Sequence, residues 1–185
     1  MELKIGSTRI VVAFGDLAAQ EVDVIIHPTN NYLWFSSYLS DSLKRRGGSN
    51  LEREAMELGP VSVGRAVLTT AGRLKCKYLI HAAAWGQDMM VNERQVHQAL
   101  AEALKVAREH RCASVAMMPS GLCVGGFSLA RAFETTFLTV VEHCLRATTI
   151  EKLLLVASTE SEEEILNSML RSARSADPPK NEDNV

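Results

Sequence analysis

Val115-Ala-Met-Met-Pro-Ser-Gly-Leu-Cys-Val-Gly-Gly-Phe-Ser-Leu129 opens as an apolar run of strand type. It then breaks into a loop holding Gly121, Gly125 and Gly126, and Ser128 stands as the N-cap of a following helix. A strand, a glycine loop and a helix start in immediate succession leave bare backbone N–H groups free to face an anion. The helix N-terminus adds positive potential at the same place. A phosphate-bearing ligand is the first expectation for this segment, and a helix-entry loop that binds nothing is the plain alternative.

Outward from this join, 10–14 and 22–26 read as buried strands. The first is stopped by Gly15-Asp16, with a short turn or helical piece over 17–20. Pro28 is expected to prevent the second from running on as a central strand. Segments 36–46 and 50–58 suit helices divided by Gly47-Gly48, and Gly59-Pro60 ends the second. Strands follow at 64–70 and 78–83, with Gly72 in the turn between them. The clearest helix covers 92–110, where Val96, Leu100, Ala103, Leu104 and Ala107 recur at three- and four-residue steps behind an Asn92 cap.

After the strand at 114–118, Leu129, Phe133, Phe137, Val140 and Cys144 mark another amphipathic helix. A last buried strand lies at 152–157, and Ser158 or Thr159 caps a final helix. That helix begins with Glu160, Glu162, Glu163 and Glu164, read as a solvated start that suits the positive end of the helix dipole. Residues 1–171 are expected to form one domain, and 172–185, polar and carrying Pro178-Pro179, a disordered tail.

Composition limits the function. The chain has 185 residues, enough for a full core in one domain. The formal net charge is -2, so there is no general basic surplus, and nucleic acid is not favoured as the main partner. Four cysteines lie far apart without a C-x-x-C pair, so neither a zinc knuckle nor a dithiol motif is indicated, and no metal or cofactor is expected. The apolar runs fall short of the roughly 20 residues that cross a bilayer, and a soluble cytoplasmic protein is expected.

Fully apolar strands alternating with amphipathic helices imply a three-layer α/β/α sandwich around a mixed, largely parallel sheet. Ligands of such sheets sit in loops beyond the C-terminal strand ends. That rule gathers Gly15-Asp16, His27-Pro-Thr-Asn30 and 120–127 into one crevice, because each follows a strand.

These segments, in this order, resemble the macro domain, a fold that binds ADP-ribose. Phe14-Gly-Asp-Leu17 looks like the family's G-D-I-T, and Val24-Ile-Ile-His-Pro-Thr-Asn30 followed by Asn31-Tyr-Leu33 looks like I-V-N-x-A-N-x-x-L. Gly64-Arg-Ala-Val-Leu-Thr-Thr-Ala-Gly72 through Tyr78-Leu-Ile-His-Ala82 is similar to G-x-A-x-x-T-x-G and the strand ending in I-H-A. Gly121-Leu-Cys-Val-Gly-Gly-Phe127 resembles the second phosphate loop, G-T-G-V-G-G-F. The resemblance implies ADP-ribose or a related adenine nucleotide as ligand, with an ADP-ribosylated protein as a further partner.

By that resemblance Gly15, Asp16 and Leu17 border the adenine, with Asp16 accepting its amino group, and Asn30 approaches the distal ribose. Ser36, Ser37, Tyr38 and Leu39 occupy the first phosphate loop, and Ser120, Gly121, Leu122, Cys123, Val124, Gly125, Gly126 and Phe127 the second. The residues alone allow plainer roles, Asp16 as a helix cap and Asn30 as a turn asparagine satisfying its own backbone.

The departures bear on activity. The first loop, glycine-rich in the family, is here Ser36-Ser-Tyr-Leu39 behind Trp34-Phe35, so aromatic side chains either stack on a base or fill the pocket. His27 replaces an asparagine. It is either a base or a hydrogen-bonded structural residue, and His81 reads as a satisfied core histidine. Hydrolytic members often carry an aspartate just after the first loop. Ser40 holds that place, and Asp41 falls one residue late, about 100° round a helix. Catalytic candidates are therefore Asn30, His27 and Asp41. Cys123 is a candidate reactive thiol or a small filler. Arg45 and Arg46 read as solvating a helix end. The readings carried forward are a binding module, an ADP-ribose ester or ADP-ribosyl-protein hydrolase, and a degenerate fold used for protein contacts or another ligand.

Overall fold

A computed structural model describes residues 1–176. In chain order it contains β1 (Glu2–Ile5), β2 (Thr8–Phe14), β3 (Val24–Asn30), α1 (Tyr38–Gly47), α2 (Asn50–Leu58), β4 (Ala66–Thr70), β5 (Tyr78–Trp85), α3 (Glu93–Glu109), β6 (Ser114–Met117), α4 (Leu129–Cys144), β7 (Lys152–Ala157) and α5 (Glu160–Ala176). The strands form one seven-stranded sheet in the order β1-β2-β7-β6-β3-β5-β4. The inner pairings β2·β7, β7·β6, β6·β3 and β3·β5 are parallel, while the edges β1 and β4 pair antiparallel.

Alternation along the strands divides the apolar residues between two layers, because successive side chains point to opposite faces. Val24, Ile26, Val115 and Leu153 pack under α3, α4 and α5, with Leu100, Phe133 and Leu166 from those helices. Ile25, Ala116 and Leu154 face α1 and α2, with Leu39, Leu43 and Leu51. The sandwich therefore has two helices on one face and three on the other.

Local signals account for the element ends. Asn92 and Gln95 cap α3 reciprocally, and Ser128 Oγ accepts from the Arg131 amide at the start of α4. Gly48 stops α1 at φ +106°.

Four sequence expectations are corrected. β3 does not stop before Pro28. It pairs with β5 through Pro28 and on to Asn30, but with β6 only from Val24 to Ile26. Beyond Ile26 the strand has an open side, where a residue lacking an N–H is tolerated. β1 was not anticipated; it is joined to β2 through the two-residue turn Gly6-Ser7, with Ile5 opposite Thr8. α1 begins at Tyr38 rather than 36, because Ser37 is its cap. α5 continues to Ala176, so 172–176 are helical, and the rest of the expected tail, 177–185, lies outside the described residues.

Candidate functional site

Five strands run parallel, so the turns after β2, β7, β6, β3 and β5 emerge at one rim of the sheet. Helix α1 ties two of these turns together. Leu39 and Ser42 are three residues apart and share one face. Ser42 Oγ donates to both carboxylate oxygens of Asp16 at 2.9 Å, while Leu39 Cδ2 sits 2.7 Å from where a Cβ on Gly121 would lie. The turns at Gly15-Asp16 and 120–127, separated by a hundred residues of sequence, thus meet around the first turns of α1.

The glycine loop is built in two parts. Pro119–Leu122 forms a short 3-10 turn whose bonds continue into the loop: the Gly121 amide donates to Met118 and the Cys123 amide to Ser120, both at 3.1 Å. The Val124 amide donates to Leu122 at 2.8 Å, and that of Phe127 to Val124 at 2.9 Å. Gly125 and Gly126 follow at φ +58° and +82°, and among the described residues neither amide has an acceptor. A side chain is excluded at Gly125, where a Cβ would lie 1.7 Å from the Met89 carbonyl, whereas Gly126 has nothing within 4 Å. Two adjacent amides without an acceptor among the described residues therefore precede the N-terminus of α4. Leu122 and Phe127 are buried beneath them, and Val124 is partly buried. Cys123 is exposed, and partial desolvation together with the Glu162 carboxylate raises its thiol pKa, away from the reactive thiolate.

The first loop is arranged differently. Tyr38 is 80% exposed and does not enter the crevice. Phe35 is buried with its ring 4.8 Å from that of His27. Trp34 packs on Tyr32 and, with Asn30, Ser36, Gly86, Gln87 and Met89, lines a rim cavity of about 340 Å³. Asn30 Oδ1 accepts from the Tyr32 and Trp34 amides and Nδ2 donates to the Trp34 carbonyl, so its side chain folds the turn and one Nδ2–H is left without an acceptor among the described residues. Gly15 donates its amide to Ala157 at φ +127°, and Leu17 is buried. Asp41 is exposed on α1.

Behind the first loop runs a buried chain of hydrogen bonds. Ser37 Oγ lies 2.8 Å from Ser40 Oγ, and Ser40 Oγ 2.9 Å from His27 Nε2. His27 Nδ1 is 3.2 Å from His81 Nδ1, and His81 Nε2 is 2.9 Å from Thr69 Oγ1. Thr69 donates its proton to the Thr70 carbonyl at 3.0 Å, which sets the direction of the whole chain. His81 Nε2–H donates to Thr69, His27 Nδ1–H donates to His81, and His27 Nε2 accepts from Ser40. Both rings are fully buried. Burial pulls His81 down to about 3, and burial with the neighbouring His81 holds His27 well below the usual imidazole range. Both nitrogens of His27 are engaged within the protein.

Asp16 is equally occupied. Its carboxylate accepts from the Ala18 amide at 3.0 Å, from Ser42, and from Arg46 Nε at 2.7 Å. Burial raises its pKa, but the Ala18, Arg46 and Ser42 bonds outweigh that and leave it below the ordinary value. Asp16 is both a cap of the short turn after it and one half of an ion pair with α1. Arg46 is a site residue that the sequence reading assigned to solvent. The i,i+4 spacing of Ser42 and Arg46 on α1 was the available signal. Glu162 also departs from expectation: it is buried, accepting from the Ser158 amide and hydroxyl at 2.7 and 2.9 Å and from Ser120 Oγ at 3.3 Å. Those bonds tie α5 to the glycine loop.

Comparison with known proteins agrees with this architecture. The macro domain family model matches residues 26–136. An uncharacterized protein of Aquifex aeolicus is 36% identical over 151 residues, covering 80% of this chain and 88% of that protein. One from Aeropyrum pernix is 35% identical over 127 residues, covering 68% and 67%. The chain belongs to the macro domain family. Among solved structures, a variant of the Oceanobacillus iheyensis macrodomain with ADPR superposes with a TM-score of 0.84 at 16% identity over 95% of this chain and 98% of that one. The same organism's macrodomain with ADP gives 0.82 at 16% identity, covering 95% and 96%.

Proposed function

We propose that the rim is a binding site for ADP-ribose or a related adenine nucleotide, free or attached to protein, with a reshaped first loop. The observation that carries this reading is the pair of unpaired amides at Gly125 and Gly126, set ahead of the sixteen-residue helix α4. Amides in this position favour a phosphate by direct hydrogen bonding and by the helix dipole. The ligands seen in the superposable macrodomains, ADPR and ADP, carry such phosphates.

The adenine end requires one rearrangement. The Asp16 oxygens already accept from Ala18, Ser42 and Arg46, so reading an adenine amino group there means displacing Arg46 from Asp16. Binding is favoured over hydrolysis as the role of the site. Ser40 stands where hydrolytic members often carry an aspartate, and its hydroxyl is committed to His27. A histidine kept neutral by burial is a weak base at neutral pH.

A second reading, a macro fold turned to protein contacts, is favoured by the same self-saturation and by Leu39 and Met89 lying against Gly121 and Gly125. Titration calorimetry with ADP-ribose separates the two. Saturable heat supports nucleotide binding, and its absence at millimolar ligand supports protein contacts.

A further inference from the structure

A cavity of about 520 Å³, larger than the rim cavity beside Asn30, opens between α3 and α4. Its charged lining is Arg65, Lys105, Arg108 and Arg146 against Glu102 and Glu142. Glu102 is engaged by Arg65 at 3.4 Å and Lys105 at 3.5 Å, and Glu142 faces His97 at 3.6 Å. Arg108 and Arg146 have no carboxylate partner among the described residues. They come from different elements. Arg108 is in the last turn of α3, and Arg146 follows the end of α4. Both stand close enough to His143 in the same lining to lower its pKa, an effect led by its burial.

Each guanidinium, taken alone, offsets the negative end of its own helix. That role does not require both to line the same concavity as the partly buried His143. Two like charges held together repel, and in a chain of net charge -2 such a local positive excess is not a general property of the surface. A phosphate group accepts bidentate bonds from guanidinium planes and turns that repulsion into two charge-assisted contacts. The volume is within the range of small-ligand sites.

We propose that the α3–α4 groove is a second anion site, separate from the rim, that holds the phosphate or diphosphate end of a small ligand between Arg108 and Arg146.

Inorganic pyrophosphate is the probe, followed by calorimetry and by the ring resonances of His143. The expected result is saturable binding with shifts at His143 that persist in Gly126→Val. The Arg108→Gln/Arg146→Gln double variant weakens binding by about tenfold or more. Both arginines lie at helix ends, and the variant's melting temperature and its ADP-ribose shifts at the Gly125 and Gly126 amides serve as controls that should match wild type. The proposal is overturned by absence of binding at millimolar pyrophosphate, by His143 shifts that sodium chloride of equal ionic strength reproduces, by affinity unchanged in the double variant, or by response only to an oligonucleotide.

Discussion

His27 Nε2 lies 2.9 Å from Ser40 Oγ, so strand β3 and the first turn of α1 are bonded to each other through buried side chains. The pair belongs to a chain of hydrogen bonds that runs from Ser37 through His81 to Thr69. That chain anchors the first turn of α1 to the sheet.

Replacing Ser40 by Ala leaves a fully buried imidazole nitrogen without its donor. An unsatisfied buried acceptor costs about 1–3 kcal/mol. Urea unfolding of Ser40→Ala should show a loss of that size, with nucleotide affinity changed less than stability. A variant as stable as wild type contradicts the anchoring role.

The histidine pair also sets a pH dependence. Both groups have lowered folded-state pKa values, so below about pH 6.5 the unfolded chain takes up protons that the folded chain refuses. Stability is complete above that pH and falls as pH falls, by about 2 kcal/mol per neutral histidine between pH 7.5 and 5. The loss from His81 continues toward its folded value of about 3. Asp16 and Asp23, held below their ordinary 3.8, add a further loss only at more acid pH. Denaturant midpoints compared at pH 7.5 and 5 test this, and equal midpoints contradict it.

What the sequence disclosed follows from the range of the forces involved. Apolar alternation and caps are local, so β2, β6, β7, α3 and α4 and the rim they create were legible, as was the glycine loop. β1 was missed because four residues, Glu2–Ile5, carry too little pattern, although Gly6-Ser7 is a hairpin turn signal. Pro28 misled because its tolerance depends on where β6 ends, a fact about another strand. Arg46, Glu162 and Met89 were not legible beside the candidate site because the contacts that bring them there, to Asp16, Ser120 and Gly125, span 30 or more residues, and the charges of Arg46 and Glu162 read as solvated surface. Tyr38 could be placed in the first loop from sequence but not aimed, since direction depends on where α1 begins.

If Asp16 reads the adenine as proposed, Arg46 competes with the nucleotide for it. Arg46→Ala should raise affinity for AMP and ADP-ribose by about threefold to tenfold by freeing an acceptor, at a stability cost under about 1 kcal/mol because the ion pair is partly exposed. Asp16→Ala should weaken both ligands. Calorimetry on the two variants checks the pair, and an affinity that falls in Arg46→Ala instead assigns the guanidinium a direct role on the ligand.

The two adjacent glycines should fail in different ways. Gly125→Ala drives a Cβ into the Met89 carbonyl at a left-handed φ and should destabilise the fold by more than about 2 kcal/mol. Gly126→Ala meets open space and should cost about 1 kcal/mol from conformation alone. Thermal melts distinguish them, and equal losses contradict the packing described at Met89.

The proposed phosphate seat at the rim is tested most directly by the backbone amide resonances of Gly125 and Gly126 during titration with ADP-ribose. The account predicts large, saturable shifts at both amides, abolished when Gly126 is replaced by Val. Resonances that stay still while ADP-ribose binds elsewhere, or no binding at millimolar ligand, would contradict it.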